Sequence, residues 1–293
     1  MPINNELLTI GSIILKTVKF LAEKGLPNPR LEADLLLGEV LKLSRVKLYS
    51  EWDRPLEPSE VQRYRELIVK RVQGAPLAYL IEKKSFLSWE FRVTPAVLIP
   101  RPETELLVEV VCESLTGKTA IRGVDVGTGS GIIAISLAKL LPETIWEAID
   151  LSEEAVKVAR ENAVSLGVSE RINFLVGDLL APLAQTEESF EVIVSNPPYI
   201  PTKDLGNLQV EVKKEPELAL DGGVDGLELY RRLLPLAVKL LKPEGILAVE
   251  HGYDQRELLT ELFCQAGLVC ESRKDLAGLD RILIGRKLAT HAS

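Results

Sequence analysis

The chain reads as an α/β protein: a mostly parallel sheet covered by helices on both faces, preceded by a smaller helical region. Three observations predict this. From about residue 121, short apolar runs of strand length alternate with longer runs of helical periodicity. A glycine-rich turn, Gly127 to Gly131, stands at the first strand-to-helix junction. Before residue 85, apolar residues recur at helical spacing instead.

Taken in order, Ile14, Val18 and Leu21 share a helix face, and Gly25 with Pro27 ends that run. Pro29 opens a second helix bearing Leu31, Leu35 and Leu36, and Pro58 a third bearing Val61, Tyr64, Ile68 and Val72, closed by Gly74 and Pro76. Residues 1–84 thus form a helical bundle with no cluster of catalytic residue types. Over 85–100, Phe86, Trp89, Phe91, Val93, Val97 and Ile99 predict a β-hairpin connector. Residues 101–293 form the α/β domain, and an apolar helical run, Leu106 to Val111, opens it. Strands are expected at Ile121–Val126, Ile145–Ile149, Ile172–Val176, Phe190–Val194 and Ile246–Glu250, with a closing pair at Leu268–Arg273 and Arg281–Gly285. Helices are expected at Ile132–Leu140, Glu153–Leu166, Leu227–Leu241 and Gln255–Ala266.

Composition removes several classes. A net charge of −8 argues against a nucleic-acid binder that works by neutralising phosphates. No apolar run reaches the length of a membrane span. The first residues, with Asn4, Asn5 and Glu6, lack the basic start of a signal peptide. Cys112, Cys264 and Cys270 have no CxxC spacing and read as reduced thiols of a cytoplasmic protein. With His251 and His291 as the only histidines, no metal centre is expected.

The turn Asp125-Val126-Gly127-Thr128-Gly129-Ser130-Gly131 differs from G-x-G-x-x-G and lacks the Lys-Ser/Thr of a P-loop. A bare glycine loop is weak evidence, and its plain alternative is a strand-to-helix turn. The next strand ends at Asp150, about 20 residues on, the offset at which an acid meets a ribose in dinucleotide folds. The strand after it ends in Gly177-Asp178. Either acid alone reads equally as a cap or a solvated turn residue. At successive strand ends they outline a nucleoside pocket without a phosphate cradle, which suits S-adenosylmethionine.

Ser195-Asn196-Pro197-Pro198-Tyr199 follows the fourth strand. Asn196 offers a side-chain carbonyl, and a residue before proline is held extended. The prolines lack N–H groups, so the segment presents acceptors with few competing donors, and Tyr199 adds a flat face. Two acceptors and a flat wall suit a planar –NH2 group. The plain alternative is a stiff turn. His251, a lone histidine, is read as structural. Arg101 and Glu103 to Glu105 are left without a role, since acids also suit a helix's first turn.

With the glycine turn, Asp150, Asp178 and Asn196-Pro197-Pro198-Tyr199 in view, the chain resembles class I S-adenosylmethionine-dependent methyltransferases. More narrowly it resembles the peptide chain release factor glutamine methyltransferases, the PrmC/HemK family. The likeness extends through the N-terminal helices, Val97-Leu98-Ile99-Pro100-Arg101-Pro102-Glu103-Thr104-Glu105, Leu218-Ala219-Leu220-Asp221-Gly222-Gly223 and Glu250-His251-Gly252. Lys214-Glu215-Pro216 departs from it, standing where an aromatic is expected before Glu-Pro. The resemblance implies a Rossmann-like sheet with one antiparallel strand. It implies methylation of the glutamine side-chain amide in the Gly-Gly-Gln motif of class 1 release factors. By position, Gly127, Thr128, Gly129, Ser130 and Gly131 would underlie the cofactor's methionine part, Asp150 its ribose, and Asp178 with Leu179 its adenine. Asn196, Pro197, Pro198 and Tyr199 would hold the glutamine, with the Asn196 side chain and the Pro197 carbonyl carrying the catalytic contacts; Asn196 also borders the cofactor. The N-terminal helices are expected to contact the release factor, so that deleting 1–84 weakens methylation of the whole factor. One enzyme per release factor is expected, with no nucleic acid or membrane involved. Two other readings remain. One is an amino-group methyltransferase acting on adenine or cytosine, its target base flipped onto Tyr199. The other is a non-catalytic protein that binds the cofactor.

Overall fold

The computed structural model describes residues 8–187 and 189–289; Asn4, Asn5, Glu6 and His291 lie outside the described residues. The chain separates into two compact units. One holds the residues through Glu82 together with Val210–Lys214, and the other holds Lys83–Gln209 and the residues from Glu215 on.

The first unit is helical: α1 (Ile10–Glu23), α2 (Pro29–Leu41), α3 (Arg45–Ser50), α4 (Pro58–Val72) and α5 (Leu77–Leu80). Local chemistry sets its starts. Thr9 and Ser12 form a reciprocal cap on α1, and proline occupies the first position of α2 and α4. The helices α3 and α5 are too short to show a period, which is why the sequence pattern passes over them. Ile10, Ile14, Leu21, Leu36, Leu37 and Tyr64 make a fully buried core. Buried Glu32 receives Arg71 at 2.6 Å, and Arg71 also meets Glu211 at 2.8 Å, which fastens segment 210–214 to this unit.

The second unit begins with a hairpin of β1 (Lys83–Phe86) and β2 (Trp89–Arg92). The sequence places the hairpin over Phe86–Ile99, but the strands pair earlier. The chain turns at Leu87, which has φ +50°, and Pro95 follows β2 without an N–H to extend the ladder. Val93, Val97 and Ile99 are buried all the same, in irregular backbone. Asn162 ties the hairpin down, accepting from Arg92 N at 2.7 Å and donating to Arg92 O at 2.9 Å.

After it run α6 (Glu103–Ser114), β3 (Arg122–Val126), α7 (Ile132–Leu140), β4 (Ile145–Asp150), α8 (Glu153–Ser165), β5 (Ile172–Val176), β6 (Phe190–Ser195), α9 (Glu228–Leu240), β7 (Leu241–Glu250), α10 (Arg256–Gln265), β8 (Leu268–Lys274) and β9 (Asp280–Lys287). The seven strands lie in the order β5-β4-β3-β6-β7-β9-β8. The pairs from β5 to β7 are parallel, and β9 runs antiparallel to both β7 and β8. One apolar cluster packs α6, α7 and α8 on one face, and a second packs α9 and α10 on the other. This is the Rossmann-like sheet that the resemblance implies, with one strand antiparallel and helices on both sides. Among the described residues no helix is long and apolar enough to cross a membrane.

Candidate active site

The strand order reverses between β3 and β6: the chain adds β4 and β5 on one side, then returns to place β6 and β7 on the other. Open α/β sheets bind ligands at such a switch point, beyond the C-terminal strand ends. The two sequence motifs leave the sheet there side by side. Val126 lies opposite Ser195 in register, and the buried Ser195 hydroxyl donates to Val126 O at 2.7 Å.

The glycine turn is held from beneath. Gly127 N and Thr128 N donate to Ile149 O at 2.8 and 2.9 Å. Thr128 Oγ1 donates to Asp125 Oδ2 at 2.7 Å, and Ala134 N donates to the same oxygen at 3.1 Å, so one buried carboxylate locks both turn and helix start. Burial pushes Asp125 up to about 7, against those hydrogen bonds. Gly127 and Gly129 have φ +73° and +56°, and a Cβ on either would meet no other atom within 4 Å. The turn therefore presents bare backbone beside open space, and side chains are disfavoured there by conformation. Gly131 has another reason to be glycine: a Cβ would stand 2.7 Å from Ile135 Cδ1 and 3.1 Å from Ala159 Cβ, where α7 meets α8.

Asp150 is oriented by main-chain donors. Gly129 N reaches Oδ2 at 2.8 Å and Ser152 N reaches Oδ1 at 2.9 Å. Burial raises its pKa and these N–H groups oppose the rise. Leu151 N is a third main-chain donor to the group, and the carboxylate keeps acceptor capacity for a further donor such as a hydroxyl. Asp178 is exposed and paired with Arg232. Beside it Leu179 has φ +49°, a left-handed conformation rare for leucine and of the kind that gathers at ligand sites.

Asn196 stands on a braced corner. Its Nδ2 donates to Thr104 Oγ1 at 3.1 Å, and Thr104 Oγ1 donates to Glu250 Oε2 at 2.7 Å. Tyr199 turns its hydroxyl to Glu250 Oε1 at 3.3 Å. Thr104 and Glu250 are buried, and burial pushes Glu250 up to about 7, with the Thr104 and Tyr199 hydroxyls pulling the other way. The loop after Tyr199 is clamped: a Cβ on Gly222 would fall 2.7 Å from Tyr199 Cα, and one on Gly226 2.3 Å from Tyr199 O. Gln255 Nε2 donates to that same carbonyl at 2.9 Å.

These parts surround a cavity of about 350 Å³ inside the second unit. Gly127, Thr128, Gly129, Ser130, Asp150, Asp178, Leu179, Asn196 and Pro198 line it, whereas Gly131, Pro197 and Tyr199 do not. Pro95, Val97 and Pro100 form part of an apolar wall. Arg101 is the one cation among the lining residues, and its guanidinium is already on buried Glu215 at 2.6 Å. A pocket with a bare glycine turn, a carboxylate with acceptor capacity to spare and apolar walls fits S-adenosylmethionine.

Residues 13–81 match the family model of the PrmC N-terminal domain, and residues 102–212 match that of the methyltransferase small domain. The chain is 44% identical over 279 residues to the release factor glutamine methyltransferase of Moorella thermoacetica, covering 94% of this chain and 98% of that one. The chain belongs to the release factor glutamine methyltransferase family. The family's enzyme from Geobacter sulfurreducens is 42% identical over 283 residues, with 96% and 98% covered. In fold the chain is also similar to the 16S rRNA N2 G1207 methyltransferase of T. thermophilus, solved with AdoMet and guanosine (TM-score 0.52, 19% identity, 70% of this chain and 49% of that one).

In this methyltransferase Arg101, left without a task by sequence reasoning, is tied into the site. Arg101 and Glu215 hold Ile99 and the cavity wall together, with Ile99 N donating to Glu215 Oε2 at 2.9 Å. Lys214, at the departure from the family pattern, is exposed. Glu103 and Glu105 lie in the first turn of α6, and Glu105 accepts from Leu87 N at 2.7 Å. His251 is fully buried, with Nδ1 on Gly252 O at 2.7 Å, and burial lowers its pKa. Thr104 and Glu250 sit inside quoted segments, but nothing local marks them; their partners lie 92 and 146 residues away.

Proposed function

We propose that the protein transfers the methyl group of S-adenosylmethionine to the side-chain amide nitrogen of the glutamine in the Gly-Gly-Gln motif of class 1 release factors. The observation that carries this reading is the Asn196 carboxamide, pinned through Nδ2 beside the glycine turn, whose Oδ1 takes no partner among the described residues. Bound S-adenosylmethionine supplies an electrophilic methyl on a sulfonium. Gly127 to Ser130 and Asp150 would hold its methionine and ribose parts, and Asp178 with Leu179 would border the adenine.

An amide nitrogen is a weak nucleophile, because its lone pair is delocalised into the carbonyl. Asn196 Oδ1 accepts one of its N–H hydrogens, which orients the nitrogen and favours the positive charge that develops; Pro197, expected to accept the other, does not line the cavity. Alignment of this kind contributes about 7–11 kcal/mol, and an aimed dipole about 3 kcal/mol more. The corner is rigid because Gly222, Gly226 and Gln255 close on Tyr199. No strong base is required, since the nitrogen becomes acidic as it is alkylated: the S–C electron pair would return to sulfur, giving a neutral thioether, and the N–H proton would pass to water.

The helical unit contacts the release factor and selects the glutamine that enters. The enzyme works in the cytoplasm as a single copy per release factor, without nucleic acid. Mass spectrometry of a release factor after incubation with enzyme and cofactor tests the reading: one methyl on the Gly-Gly-Gln glutamine is expected. Tritium appearing instead in DNA or RNA, or in no acceptor, would overturn it.

A further inference from the structure

The carboxamide of Asn196 has two ends of nearly equal size and opposite chemistry, a carbonyl acceptor and an NH2 donor. Only the carbonyl end can accept an N–H from a substrate amide. Something must therefore decide which end faces the cavity. We propose that Thr104, itself held by Glu250, is the positioning residue that fixes this choice. The inference deepens the proposed function and rests on its reading of Asn196 as the acceptor.

The chain of donors runs one way. Glu250 is fully enclosed in protein and takes hydroxyl protons on both oxygens, from Thr104 at 2.7 Å and from Tyr199 at 3.3 Å. Thr104 is also fully buried and has one hydroxyl proton, already given to Glu250. Its oxygen is then an acceptor toward Asn196, and Nδ2 meets it at 3.1 Å. Turning the carboxamide over would set two oxygens against each other with no proton between them. It would also leave buried lone pairs unsatisfied. Glu250 is in turn anchored through its backbone, where its carbonyl accepts the buried Tyr230 hydroxyl at 2.7 Å. Among the described residues, no cation lies in salt-bridge contact with this carboxylate. A buried acid without a cation is costly unless hydrogen bonds compensate, and here its hydrogen bonds lead to the acceptor corner.

A structural tie between α6 and β7 would use the same contacts, so the test separates the two. Thr104→Val keeps the shape and removes the hydroxyl; Thr104→Ser keeps the hydroxyl. We expect Thr104→Val to lower kcat about tenfold or more, with cofactor affinity by calorimetry and KM for release factor little changed. Thr104→Ser should restore most of the rate. In an Asn196→Ala background, followed by tritium counting over long incubations, Thr104→Val should have no further effect, because no carboxamide remains to orient. Should Thr104→Val not fold, Glu250→Gln gives the same cycle, since its amide can donate to Thr104 and free the hydroxyl proton for Asn196. A folded Thr104→Val enzyme with normal kcat overturns the inference, as does a loss that persists in full without Asn196. Full activity of Asn196→Ala alone would instead overturn the proposed role of Asn196.

Discussion

Buried carboxylates are met in two ways, by guanidinium groups throughout the helical unit and at Glu215 of the sheet unit, and by neutral donors at Asp125 and Glu250 of the sheet unit. In the helical unit Glu32 lies against Arg71, and Asp34 against Arg45 at 3.1 Å and Arg30 at 3.4 Å. In the sheet unit Asp125 and Glu250 are as deeply buried, but hydroxyl and main-chain donors are all that satisfy them. Where a guanidinium stands beside the acid, charge is balanced and the pair serves the fold. Where only neutral donors stand there, proton affinity rises, and both acids are pushed up to about 7. Those two lie behind the glycine turn and behind Asn196, which accords with the tendency of perturbed acids to gather at working sites.

The contrast is broken most readily in the helical unit. Arg71→Met would leave Glu32 buried without its partner and should cost about 3–5 kcal/mol, seen as a lower urea midpoint at unchanged slope. A loss below about 1 kcal/mol would mean that the pair behaves like a surface contact. In the sheet unit Asn196→Ala should cut the single-turnover methyl-transfer rate about a hundredfold or more, while cofactor affinity stays within a few-fold. Near-normal turnover would remove the acceptor corner from the chemistry.

Glu250 sharpens the comparison through pH. Its folded pKa of about 7 lies above the ordinary 4.5, so the native state binds the proton more tightly. The resulting stability is fully present below about 4.5 and is lost as pH rises through about 7. Glu250→Gln should flatten that part of a stability-against-pH curve; an unchanged slope would place the titration elsewhere. Transfer should move oppositely, because only the ionised carboxylate accepts from both Thr104 and Tyr199. Arg281 favours that ionisation and Glu103 opposes it. The smallest effect expected is that of Ser195→Ala, about 1 kcal/mol of stability from the bond to Val126 O, measured by thermal melting.

Much of this was legible along the chain. Pro29 and Pro58 mark helix starts because proline suits a first helical turn, and both helices begin there. The strands from Arg122 to Lys287 follow from apolar runs between turn residues. The hairpin's position is less legible, because buried Val93, Val97 and Ile99 look like strand residues although Pro95 interrupts them. The sequence offers Tyr199 as a flat face, and folding turns its hydroxyl inward to Glu250. Gly222 and Gly226 were not read as braces, because the need for them is a backbone that passes from elsewhere in the chain.

Sequence alone determined the alternation of strands and helices, the bare glycine turn, and a proline-stiffened asparagine at a strand end. Such features depend on neighbours within a few residues, so local sterics and donor counts reveal them. Only the tertiary structure decided that Val126 faces Ser195, that Asp150 is aimed by Gly129 N, and that Thr104 stands between Glu250 and Asn196. A hydrogen bond has direction, and that direction depends on partners which folding alone brings within 3 Å or so.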